Sequence, residues 1–147
     1  MRAALLDAVT VGASVWAQGL PPIYDRAPSR DQAASTVAEF PAGTCLETIA
    51  IFDGGTLYVN SYLEGKVYRI GSDSKPKLWV SVDGTIAGIA LNPDGSALLS
   101  GWIKGKMPAV FAVSVAGGTE ILAKLDGGMF PNGAARIAAG RFLVADS

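Results

Sequence analysis

Short apolar runs broken by glycine-rich turns recur along this chain in one fixed order. The first copy runs Glu47-Thr-Ile-Ala-Ile-Phe-Asp-Gly-Gly-Thr-Leu-Tyr-Val-Asn60 and the second Ala87-Gly-Ile-Ala-Leu-Asn-Pro-Asp-Gly-Ser-Ala-Leu-Leu-Ser100. The third runs Asn132-Gly-Ala-Ala-Arg-Ile-Ala-Ala-Gly-Arg-Phe-Leu-Val-Ala145, and the starts lie 40 and 45 residues apart. Each copy reads as an apolar strand, a turn, and a second apolar strand. In the first, strands at 49–52 and 56–60 flank Asp53-Gly54-Gly55, where glycine supplies the positive φ that a tight turn needs. Further strands follow at 66–70 and 77–80 across the Gly71-to-Pro76 turn. In the second copy Asn92-Pro93-Asp94-Gly95 gives the turn, with Pro93 fixing φ at the second position and Gly95 closing it. Outer strands at 109–115 and 120–125 complete that unit.

Four strands per period of this length match the blade of a β-propeller. The fold expectation is therefore all-β: about two and a half blades of a propeller, a fold that closes with about four to eight. Blade one covers about 45–82, blade two about 85–126, and blade three starts near 130. The partial propeller occupies 39–147, behind an irregular, proline-containing lead-in at 18–38. First strands this small and apolar suit an innermost position around a central axis.

Residues 1–17 combine one Arg, an apolar stretch and small residues ending in Val15-Trp16-Ala17, the pattern of a secretory signal. Asp7 interrupts the run, and a short amphipathic helix is the competing reading. The signal implies a periplasmic or extracellular protein. The stretch is too short to span a bilayer and no later one exceeds it, so no membrane span is expected.

Composition narrows the chemistry. A net charge of −1, a pI near 5.3 and 12 scattered Lys and Arg residues give no footprint for nucleic acid. The chain has no His and a single Cys45, which removes internal disulfides and the usual zinc and His-dependent sites within this segment. Any metal here is held by oxygen. Just before each first strand the copies carry Glu47, Ala87 and Asn132 in register, so the first and third offer oxygen ligands at one mouth of the channel and the second offers none. Read singly, Glu47 is an exposed residue at a strand start and Asn132-Gly133 a turn dipeptide; their shared register favours ligation.

Asp146 reads as a cap for the turn that follows it, with a catalytic role as the lesser reading. Trp16, Trp79 and Trp102 could line a substrate pocket, Trp102 being the best candidate, but packing between blades is the more common fate of such aromatics. Asp53 and Asp94 belong to turns at the far ends of the first strands. Cys45, with no His to activate it, is expected to be a small buried hydrophobe.

The segments Cys45-Leu-Glu47-Thr-Ile-Ala50 and Phe130-Pro-Asn132-Gly-Ala-Ala135, with Phe142-Leu-Val-Ala-Asp-Ser147, resemble the senescence-marker-protein-30, gluconolactonase and luciferin-regenerating-enzyme-like family. The resemblance covers residues 40–147. It implies a six-bladed propeller that holds a divalent cation, usually calcium, at the channel mouth, with Glu47 and Asn132 at matching ligand positions. It further implies that an Asn and a basic Asp come from later blades, beyond Ser147. The family's Glu is often followed by Gly-Pro, whereas Thr48-Ile49 follow here, as in its more divergent lactonohydrolase-like members. The leading functional expectation is a metal-dependent hydrolase acting on a lactone or ester, in which Glu47 and Asn132 position the cation and other residues do the acid–base work. The alternatives are a non-catalytic propeller that binds a ligand or partner, and an incomplete unit without activity of its own.

Overall fold

The computed structural model describes residues 35–104 and 107–147. They form an all-β arrangement of three antiparallel sheets in sequence order, and the sheets do not close on themselves. The first sheet contains β1 (Leu46–Ile51), β2 (Leu57–Ser61), β3 (Lys66–Ile70) and β4 (Pro76–Ser81). The second contains β5 (Gly84–Leu91), β6 (Ala97–Ile103), β7 (Met107–Val113) and β8 (Thr119–Lys124), and the third β9 (Pro131–Ala138) and β10 (Arg141–Asp146). Each is a simple meander, as short turns between successive strands dictate. The secretory signal and most of the lead-in fall outside the described residues; positions 35–38 carry no regular structure.

The turns follow from their glycines. Between β5 and β6 the Asn92 amide donates to the Ser96 carbonyl at 2.8 Å and the Gly95 amide to the Asn92 carbonyl at 3.0 Å, with Gly95 at φ 86°. Asp94 caps this turn by accepting from the Ser96 amide at 2.9 Å and its hydroxyl at 2.7 Å. The equivalent turn after β1 is a single 3₁₀ turn over Asp53–Gly55.

The core lies between the first two sheets. Val67, Ile86, Leu99 and Ala109 have essentially no exposed surface, and Tyr58, Val80, Phe111 and Val113 pack with them. Trp79 joins this core through an edge-to-face contact with Tyr58, ring centres 4.7 Å apart, so it is a packing residue.

Burial of the first strands is unequal. β5 is buried along most of its length because it has β1 on one side and β9 on the other. β1 and β9 have a neighbouring first strand on one side only, and Ile49, Ile51 and Ile137 are exposed. Cys45, at the start of β1, shares that exposure. The expectation that it is buried is corrected for this reason.

Candidate functional site

Glu47, Ala87 and Asn132 all sit near the start of their strands and at one level of the molecule. The Thr48 hydroxyl donates to the Ala87 carbonyl at 2.7 Å, tying β1 to β5 at this level. The Ser100 hydroxyl donates to the Asn132 carbonyl, tying the second sheet to β9. Gly88 explains how β9 comes so close: a Cβ there would run into the Asn132 carbonyl and the Ser100 hydroxyl and stand 2.8 Å from the Ala134 nitrogen.

All three positions interrupt their strand's pairing. In the first sheet Leu46 faces Ser61 and Ile49 faces Val59, so Glu47 and Thr48 together oppose Asn60. In the second, Ile86 faces Gly101 and Gly88 faces Ser100, leaving Ala87 as the extra residue. In the third, Pro131 faces Asp146 and Ala134 faces Val144, so Asn132 and Gly133 oppose Ala145. These are β-bulges in equivalent places of three repeats. A bulge bends its strand, turns a side chain out of the regular alternation, and frees backbone groups from the ladder. The repeat alignment had put the three residues in register; the bulges were not foreseen.

The freed groups are taken up by side chains. The Thr48 amide donates to Asn60 Oδ1 at 2.7 Å, and Asn60 Nδ2 donates to the Ile86 carbonyl of the next sheet. Asn60 has no exposed surface, and Ser100, its repeat equivalent, has none either. A buried amide bonded through both ends meets the demand that polar groups removed from water be paired. Sequence reasoning used these two residues only for alignment. Their signal was a polar side chain ending an otherwise apolar strand, Leu57-Tyr-Val-Asn60 and Ala97-Leu-Leu-Ser100.

At the same end of the sheets lies an open groove of about 820 Å³. One aromatic ring comes from each repeat: Tyr62 after β2, Trp102 on β6 and Phe130 before β9. Trp102 meets Tyr62 at 6.1 Å between ring centres and Phe130 at 4.8 Å, both edge to face. The rim carries Glu64, Asp83 and Lys104, and the last two form an exposed ion pair at 3.7 Å. Trp102 thus lines a cavity and also packs between repeats.

Asp146 is engaged with backbone. Its carboxylate accepts from the Phe130 amide at 2.6 Å and from the Met129 amide at 3.1 Å. It fastens the turn that leads into β9, on the chain before it rather than after it.

Glu47 is exposed and Asn132 half-buried. Between them they offer two carboxylate oxygens and one amide oxygen, a hard donor set that suits calcium or magnesium and covers part of a calcium shell of about six to eight oxygens. Among the described residues no group of three or more His, Cys, Asp or Glu side chains converges on one point. No helix among them is long and apolar enough to cross a membrane. No protein-family model matches the chain, and no curated protein is similar enough to it to count as a relative.

Proposed function

We propose that the three sheets are successive blades of a six-bladed β-propeller and that the protein is a metal-dependent hydrolase of the gluconolactonase type, cleaving a lactone or ester. The observation that carries the reading is the recurrence of a bulge at Glu47, Ala87 and Asn132, because bulges at repeat-equivalent positions next to a cavity are a means of aiming side chains. Glu47 and Asn132 hold part of the shell of a divalent cation, calcium by preference, and later blades supply the remaining ligands and the base. When bound, such a cation polarises the ester carbonyl and stabilises the negative charge that develops on its oxygen. The chain's own residues bind and orient: Glu47 and Asn132 fix the cation's place, while the Tyr62, Trp102 and Phe130 groove receives the apolar part of the substrate. Asp146, with its carboxylate bonded to two amides, is not the base in this scheme.

Replacing Glu47 by Gln in the complete protein removes a charge and leaves the side chain's shape. Calcium affinity, measured by titration calorimetry, should fall by about tenfold or more, and lactone hydrolysis should fall with it. Unchanged calcium affinity takes Glu47 out of the site. A second reading, a non-catalytic propeller that binds a small molecule in the groove, is favoured by the lack of a converging acid cluster among the described residues and by the groove's aromatic walls. It predicts ligand binding that depends on Trp102 and is indifferent to calcium.

A further inference from the structure

Between Glu47 and Asn132 runs a series of hydrogen bonds joined by short stretches of backbone and one cross-strand pair. Thr48, next to Glu47, gives its amide to Asn60 Oδ1 and its hydroxyl to the Ala87 carbonyl. Asn60 reaches on to the Ile86 carbonyl, one residue before Ala87. Gly88, one residue after it, pairs across the sheet with Ser100, and Ser100 donates to the carbonyl of Asn132 itself. Each of these side-chain bonds ends on the backbone of a bulge or of the residue beside one. A bulge lacks the ladder bonds that fix a regular strand, so its conformation is only as definite as the groups that replace them.

We propose that Thr48, Asn60 and Ser100 are positioning residues for the cation site: by holding the bulged backbone they set where Glu47 and Asn132 point and how far apart they stand. The inference rests on the reading of Glu47 and Asn132 as cation ligands. The three side chains are bonded to backbone: Asn60 Oδ1 accepts from the Thr48 amide, and the Thr48 and Ser100 hydroxyls donate to the Ala87 and Asn132 carbonyls. The third repeat has Ala145 where the others have Asn60 and Ser100, so it has no side chain with which to hold a following strand in this way. Partners that orient ligands commonly matter by about 10- to 100-fold in metal affinity.

The test uses the complete protein and calcium alone, at a temperature where circular dichroism shows every variant folded. Thr48→Val and Ser100→Ala each remove one hydroxyl with little change of volume. Val113→Ala, in the core at the far end of the second sheet, where it pairs with Ala97 and Thr119, controls for general loss of stability. Expected is a drop in calcium affinity of about tenfold for Thr48→Val and for Ser100→Ala, with Val113→Ala binding as the unaltered protein does. If Thr48→Val and Ser100→Ala keep full affinity while Glu47→Gln loses it, the positioning role is wrong and the ligand reading survives. If Val113→Ala weakens binding as much, the effect is general softening and the positioning role is again overturned. If Glu47→Gln binds calcium as tightly as the unaltered protein, the ligand reading fails and the positioning role falls with it.

Discussion

Replacing Asn60 by Ala should be among the most damaging single changes at a polar position of this protein. Both ends of the amide are engaged, one with the Thr48 amide and the other with the Ile86 carbonyl, and the residue has no exposed surface. Truncation therefore orphans one backbone donor and one backbone acceptor and leaves a small void. A buried polar group deprived of its partner costs about 1–3 kcal/mol, so two of them and the void bring the loss to roughly 3–5 kcal/mol. Ser100→Ala orphans one carbonyl and should cost about 1–2 kcal/mol. Against a total stability of about 5–15 kcal/mol, the first change removes about a fifth or more. With a urea slope near ~2 kcal/mol per M, the Asn60→Ala midpoint should fall by about 2 M with the slope unchanged, and the Ser100→Ala midpoint by less than half as much. Asn60→Asp adds a sign. It keeps the acceptor for Thr48 but sets a carboxylate against the Ile86 carbonyl, which raises the carboxyl's folded pKa above its unfolded value. The folded state then holds more protons, so this variant is most stable in acid and loses stability as pH rises through the folded pKa. An Asn60→Ala protein within about 1 kcal/mol of the unaltered one, or no worse than Ser100→Ala, would refute the account of the bulge.

Two further predictions concern the surroundings. Gly88→Ala places a methyl group against the Asn132 carbonyl and within 2.8 Å of the Ala134 nitrogen, both backbone, so β9 must move; a loss of about 3 kcal/mol and faster hydrogen exchange along β9 are expected, and unchanged exchange there would show that the close approach is not needed. Asp94 is held below the usual carboxylate range by the hydroxyl and then the amide of Ser96. A carboxyl with a depressed folded pKa contributes stability above its unfolded value and loses it as pH falls through the folded one, so the turn between β5 and β6 should loosen only in acid below about pH 4. Carboxyl chemical shifts followed against pH check this, and a midpoint at or above the unperturbed value overturns it.

The repeat was legible because it is written in residue types that strands and turns require. Glycine at Gly54, Gly55 and Gly95 marks positive φ, and β3 was placed to the residue by its flanking turns. The other strand ends moved by up to three residues, β1 most of all, since Leu46, Glu47 and Thr48 pair through a bulge and do not alternate. Burial was less legible. The broadly similar first strands β1, β5 and β9 are buried only where both neighbours are present, and a sequence window holds no record of its neighbours. Ile49 and Ile89 hold equivalent places in their repeats; one is 64% exposed and the other 4%.

The site was half legible for a related reason. Aligning the repeats brings Glu47, Ala87 and Asn132 together because alignment counts residues along one strand. A bulge, by contrast, is a mismatch between two strands, and it emerges only when the count on β1 is set against the count on β2. Counting outward from the turn, Ile49 faces Val59, and regular pairing would set Thr48 against Asn60 and Glu47 against Ser61. It is Leu46 that faces Ser61, and the extra residue is accommodated because Asn60 carries an amide able to take the Thr48 hydrogen that the ladder has dropped. An apolar residue at 60 would leave that part-buried hydrogen without this partner. In the first repeat the polar residue that ends the apolar second strand is therefore tied to the bulge on the first, and Glu47 and Asn60 are better read as one feature than as a ligand and a core residue.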